Sequence, residues 1–221
     1  MKRRKFGLSL LTVSSVLVSG CNFGSEEENS TEESQPTAEE RERNSETPER
    51  ATTEATDDAP TFDAETDTDS IVLRLSDLPN TFEYSGERDI VTAELEEAEQ
   101  EQYAAKDIVR QHSRSFRQST DSDGPMLVYS EVTVYESIDD ANAQLTETES
   151  TFREQSARIE TVELATDVTA TQIQHENDRG SRNVLLYYQR GNMQLLVIVS
   201  GGEEFYPDLA EELMIAMVSD I

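Results

Sequence analysis

The chain is short of almost everything that builds metal, disulfide or nucleotide chemistry. Its 221 residues hold one cysteine, two histidines and no tryptophan. One cysteine forbids an internal disulfide framework and Cys-rich zinc sites, and His112 and His175, 63 positions apart, lack the close spacing of a histidine metal motif. Positive charge is scarce as well, with 18 Lys or Arg against 47 Asp or Glu and a net charge of -29. Nucleic acid is therefore not expected as a partner, because no cationic cluster exists beyond the first five residues to release counterions from a phosphate backbone. No apolar run reaches the roughly 20 residues a spanning helix needs, and the longest run after the N-terminus is Leu195–Val199.

What is present begins at the N-terminus. Lys2, Arg3, Arg4 and Lys5 precede an uncharged stretch from Phe6 to Val18, which ends at Ser19-Gly20-Cys21. A basic segment, a short apolar segment and a small-residue end form an export signal. Val18-Ser19-Gly20-Cys21 resembles the lipobox of bacterial and archaeal lipoproteins, which implies a diacylglyceryl group on Cys21 and cleavage before it. Arg3-Arg4-Lys5-Phe6 resembles the core of twin-arginine export signals. Two acyl chains, at about 0.8 kcal/mol per buried methylene, hold a protein on a membrane without a spanning helix. The expected partner is the membrane, through the lipid, on its extracytoplasmic face.

The mature chain would carry 14 positive and 47 negative residues, or -33, and Lys106 is its sole lysine. This composition resembles proteins of extremely halophilic archaea. The implied physics is that self-repulsion opposes folding in dilute buffer, whereas molar salt shortens the Debye length to about 3 Å and removes the penalty.

Residues 22 to 70 are Glu, Thr, Ser, Asp, Asn and Pro with 17 acids and three bases. So little apolar surface cannot offset an ordering cost of about 1–2 kcal/mol per residue, so a disordered acidic tether is expected, with a reach of about 40 Å. Asn29-Ser30-Thr31 fits the N-glycosylation pattern. The expected organisation is a signal peptide over 1–20, a lipidated linker over 21–70 and one domain over 71–221.

Within the domain, Leu73 to Pro79 reads as a short strand, and Phe82 and Tyr84 as a second extended piece. Thr92 to Arg114 predicts a helix, because Leu95, Ala98, Gln102, Ala105, Val109, His112 and Phe116 recur at steps of three and four. Met126–Tyr135 predicts a strand, and Ser137 with Asp140 an N-cap for a helix to about Ser156. Val162–Gln174 gives one or two strands. Gln189-Arg190-Gly191-Asn192 marks a hairpin, and Pro207 opens a final helix burying Leu209, Leu213, Ile215, Ala216 and Met217. These elements predict an α+β fold, an antiparallel sheet with helices packed on one face. Their order, with the Leu78-Pro79 entry and the Tyr188-Gln189-Arg190-Gly191-Asn192 hairpin, resembles exported lipoproteins of PsbP/Mog1-like architecture, a resemblance that implies no activity.

Catalytic constellations are not evident. G-x-S-x-G, a Ser with Lys three residues on, and a phosphate-binding glycine loop do not occur, and Cys21 is expected to be acylated. Asp121 and Asp123 before Gly124 suggest a calcium loop, yet Ser119 and Ser130 fall where its end ligands belong, so a plain turn is expected. His112 lies on the apolar seam and reads as a core residue, and Tyr129, Tyr135, Tyr187 and Tyr188 read as strand core. Lys106, Arg110, Arg114 and Arg117, at steps of four, four and three, would form one helical face able to meet an anion or an acidic partner. Internal pairing with carboxylates is the competing reading, and a strand starting at Ser113 would break the stripe. The resulting expectation is a lipid-anchored cell-surface binding or accessory domain, without catalysis, cofactor or metal, for a protein or small-molecule ligand. The alternative is a carrier holding an apolar or lipidic ligand between sheet and helices.

Overall fold

A computed structural model describes residues 59–118, 124–165 and 168–221. Arg3, Arg4, Val18, Ser19, Gly20, Cys21 and Asn29, and the aspartates of the 121–123 turn, lie outside the described residues.

The described residues form α1 (Thr68–Ile71), β1 (Phe82–Val91), α2 (Glu97–Ala104), β2 (Ile108–Gln118), β3 (Leu127–Tyr135), α3 (Ile138–Glu154), β4 (Arg158–Ala165), β5 (Val168–Glu176), β6 (Arg182–Arg190), β7 (Met193–Gly201) and α4 (Pro207–Val218). All neighbouring strands run antiparallel in one seven-stranded sheet, ordered β1-β2-β3-β7-β6-β5-β4. Two meanders therefore meet where β3 pairs β7, and α3 carries the chain from the middle of the sheet to its far edge.

The α+β architecture is present, but the helices divide between both faces instead of sharing one. Strand alternation decides this. Val128, Val132, Val184, Leu186, Leu195, Val197 and Val199 point to one side, where they bury Leu213, Met214 and Met217 of α4 together with Ile71, Val72 and Leu73. Ile173, Leu185, Leu196 and Ile198 point to the other, where Phe152 of α3 packs. Tyr103 of α2 joins Tyr135 and Ala141 on that second side. We call these the α4 face and the α3 face.

Local signals explain several boundaries. The Ser137 hydroxyl accepts the Asp140 amide at 3.2 Å, and Asp139 and Asp140 in the first turn of α3 with Arg153 in its last complement the helix dipole. Pro207 occupies the first turn of α4, whose buried residues are Ala210, Leu213, Met214 and Met217; Ile215 points to solvent at 39% exposure, against the sequence expectation. The Val162–Gln174 stretch resolves into two strands, β4 and β5.

Two expected elements are absent. The helix expected over Thr92–Arg114 is a 3-10 turn over Thr92–Glu94, the two-turn α2, and then β2. Asp107 adopts a left-handed φ of 56° and ends the helical run, and β2 pairs β1 on one side and β3 on the other. The seam at steps of three and four is equally a period-two pattern over its last members, since His112 and Phe116 share a strand face. Leu73 to Pro79 is likewise no strand: Leu75–Asp77 is a 3-10 turn that follows α1.

The chain also joins the domain earlier than residue 71. Asn192, 2% exposed, receives the Phe62 amide on Oδ1 at 2.7 Å and donates Nδ2 to the Phe62 carbonyl at 2.9 Å and to the Tyr135 carbonyl at 2.6 Å. Residues 59–78 thus form a strap across the α4 face. The β6–β7 hairpin holds the strap's first residues, and Gly191 is required there: φ is +59°, and an added Cβ would lie 1.8 Å from the Pro60 carbonyl oxygen.

Candidate functional site

The strand at β2 rearranges the cations that a helix would have aligned. Arg110, His112, Arg114 and Phe116 alternate onto the α4 face, beneath the strap, whereas Arg117 falls on the opposite face and exposed Lys106 sits in the turn after α2. The four charges do not form one patch. Arg110 donates Nη1 to the Ala64 carbonyl at 2.8 Å and pairs Asp89 at 3.1 Å. Arg114 donates Nε to Glu87 at 2.8 Å and Nη2 to Asp69. Internal pairing thus engages the two arginines that face the strap.

His112, 2% exposed, lies under these pairs. Its Nε2 is 2.8 Å from Glu87 Oε1, and its Nδ1 is 3.3 Å from the Thr68 hydroxyl of the strap. Bonds from His112 and then Arg114 hold the Glu87 carboxyl below its ordinary pKa. Burial works against the Arg114 charge, but Glu87 and Asp69 outweigh it and raise the guanidinium. Asp69, Glu87 and His112 bring one donor atom each within 4.8 Å of one another. Because Arg114 bonds both carboxylates, a metal ion entering there would meet a fixed positive charge.

Replacing Arg114 by Gln is expected to lower stability by about 1–2 kcal/mol, between an exposed and a buried pair, as read by chemical denaturation. An unchanged midpoint would show that strap and sheet do not depend on this pair.

Above this network an open cleft of about 340 Å³ is lined by Asp69, Arg74, Leu75, Tyr84, Glu87, Arg114 and Phe116. Phe116 is fully buried at its floor and meets Tyr84 edge-on, with ring centroids 6.2 Å apart. Part of the rim is apolar and exposed, beside the exposed charged residues Asp69, Arg74 and Glu87. Leu75 is 45% exposed, Tyr84 53%, and Met126, on the same sheet face beside the Phe82–Gln118 pair, 51%. In a domain with 11 basic and 30 acidic residues over 71–221, a net of -19, these are three accessible uncharged side chains on one face, the first two beside Asp69, Arg74 and Glu87.

The α3 face holds a different arrangement. Glu131, at the centre of β3, accepts the Tyr129 hydroxyl on Oε2 and the Thr133 hydroxyl at 3.0 Å on Oε1, and Gln111 adds a further bond. Burial raises the Glu131 pKa, and these bonds and the charge of Lys106 oppose the rise without cancelling it. Burial, with the Glu131 charge nearby, likewise raises the phenols of Tyr129, Tyr135 and Tyr187. Tyr135 donates to Gln194 at 3.1 Å, and Gln194 donates to the Ala141 carbonyl of α3 at 2.5 Å, which closes one end of the face. Glu149, buried on α3, is tied to Arg153 at 2.8 Å.

Sequence reasoning missed both Glu87 and Glu131. The signal for Glu131 was present: in β3 the alternate residues Leu127, Tyr129, Glu131, Thr133 and Tyr135 place one acid in an otherwise uncharged face. Glu87 had no such signal, because it faces His112 and Arg114 only through strand pairing.

No family model matches the chain, and no curated protein matches it. Among solved structures it is similar to the extracellular domain of PknH from Mycobacterium tuberculosis, at 9% identity and a TM-score of 0.46, over 68% of this chain and 94% of that one. Among the described residues no helix is long and apolar enough to cross a membrane.

Proposed function

We propose that this protein is a lipid-anchored cell-surface binding domain that serves an accessory, non-catalytic role, with a partner protein docking on the rim of the cleft. The carrying observation is the exposed apolar pair Leu75 and Tyr84 lining a cleft in which Asp69 and Glu87 are both bonded to Arg114 and Arg74 is exposed, with Met126 exposed on the same sheet face outside the lining. Charges committed to holding strap against sheet are poorly placed to move protons for a substrate. An aromatic and two flexible aliphatic side chains on an acidic surface suit the centre of a protein contact, where tyrosine is a frequent anchor. The cleft is mixed in character, which favours this role over enclosure of a lipid there. The sequence supports the anchor through Cys21 and its preceding residues.

Mass spectrometry of the protein extracted from its own membrane in high salt reads the anchor directly. A diacylglyceryl mass on Cys21 is expected, and an unmodified thiol would return the protein to the secreted pool. For docking, cross-linking in native membranes compares wild type with Tyr84→Ala and Leu75→Ala. Each substitution is expected to reduce a specific cross-link about tenfold or more, with the thermal midpoint nearly unchanged. Identical cross-link yields from all three proteins would overturn the assignment of this rim.

A further inference from the structure

We infer that the α3 face holds a second site, for a small ligand carrying one cationic head, an amine or quaternary ammonium, on an apolar or aromatic body. The site lies across the sheet from the cleft and stands whether or not the cleft binds a protein.

Strand register lays out its floor. Ser113, Glu131, Leu196, Tyr187 and Thr171 follow one another across β2, β3, β7, β6 and β5, and Tyr129 pairs Ile198 in the adjacent row. Glu131 and Tyr187 are two strands apart, or about 10 Å at about 4.8 Å per strand, with Leu196 between them. Tyr129, Glu131, Tyr187, Leu196 and Ile198 are each only half-buried, in contrast with the sealed valines of the α4 face. Tyr187, Leu196 and Ile198 pack against the cluster that Phe152 of α3 forms with Ile173 and Leu185, so α3 walls the site on one side.

The chemistry follows from what the floor offers. A carboxylate set among phenol rings attracts a cation twice over, through its own charge and through the ring faces, and both attractions strengthen where water is excluded. Leu196 and Ile198 supply an apolar bed for the body of the same ligand. An anion would meet Glu131 and the net charge of the domain and be repelled. Burial disfavours the ionised form of Glu131, and the bonds from Tyr129, Thr133 and Gln111 offset this only in part.

Isothermal titration of the full-length protein in molar salt with benzyltrimethylammonium, and with benzoate as the anionic counterpart, tests the site. Saturable binding of the cation and none of benzoate is expected. Glu131→Gln should weaken the cation about tenfold or more, Tyr187→Ala should weaken it, Tyr187→Phe should retain it, and Tyr84→Ala, across the sheet, should leave it unchanged. No saturable heat from wild type, equal affinity in Glu131→Gln, or benzoate binding as tightly as the cation overturns the proposal. If Glu131→Gln does not fold, the Tyr187 pair decides, and equal affinities of the Ala and Phe variants count against the site.

Discussion

Replacing Asn192 by alanine is expected to destabilise the domain by about 3 kcal/mol or more. The side chain is 2% exposed and makes three bonds to backbone, two to Phe62 and one to Tyr135. Truncation leaves one amide and two carbonyls without these partners, and each buried group so abandoned costs about 1–3 kcal/mol. The loss corresponds to a thermal midpoint lower by about 6–12 °C for a chain of this size. Hydrogen exchange should show where the change acts: Phe62 to Leu73 should lose protection before the centre of the sheet does, because Asn192 joins the strap to the hairpin. Asn192→Asp keeps the acceptor for the Phe62 amide but turns a buried carboxylate oxygen toward the Phe62 and Tyr135 carbonyls, so it should destabilise at least as much as alanine. A midpoint within about 2 °C of wild type, with the strap still protected, would show that the strap is held by its apolar residues alone.

The second large effect is at Phe116. Its ring is fully buried beneath the cleft, within the cluster that includes Ile71, Leu73 and Val128. Phe116→Ala should cost about 3–5 kcal/mol, the usual range for a buried aromatic truncated to alanine. Against a total of about 5–15 kcal/mol for a domain, that leaves little reserve. The denaturation midpoint in high salt is the measurement, and a large drop is expected. A cost below about 1 kcal/mol would place Phe116 at a frayed strand end and remove the floor of the cleft. Tyr84→Ala, by contrast, should move the same midpoint little, because that ring is more than half exposed and contributes mainly its edge contact.

Helix and strand were hardest to tell apart between Ala105 and Phe116. Residues 105, 109, 112 and 116, apolar apart from His112, suit a helical stripe, and the same stretch also alternates, with Arg110, His112, Arg114 and Phe116 on one side. Periodicity alone does not decide between them over such a short stretch. Pairing on both edges, to β1 and to β3, settles the matter and overrides local preference. The cation stripe vanished with the helix: a spacing of four puts Arg110 and Arg114 on one face in either geometry, but Arg117 changes sides.

The division of helices between both faces was equally hidden. The alternation in β6 and β7 shows apolar residues at odd and even positions alike, with Val184, Leu186, Leu195 and Val197 on one side and Leu185, Leu196 and Ile198 on the other. Such a run means a strand covered on both faces. That signal lies in Leu195–Val199, a continuous apolar run.

The sequence by itself determined what depends on neighbours along the chain or on composition alone. Ser137 capping α3, Pro207 opening α4, Gly191-Asn192 turning the hairpin and the charge imbalance need no distant partner. Only the tertiary structure decided the rest. Asn192 meets Phe62 across 130 positions, Arg114 meets Asp69 across 45, and His112 meets Glu87 across 25. Bonds of that span exist only after the chain has paid the entropy of closing the intervening loops. The packing of the whole sheet supplies that free energy, so no local pattern could announce which carboxylate each cation would find.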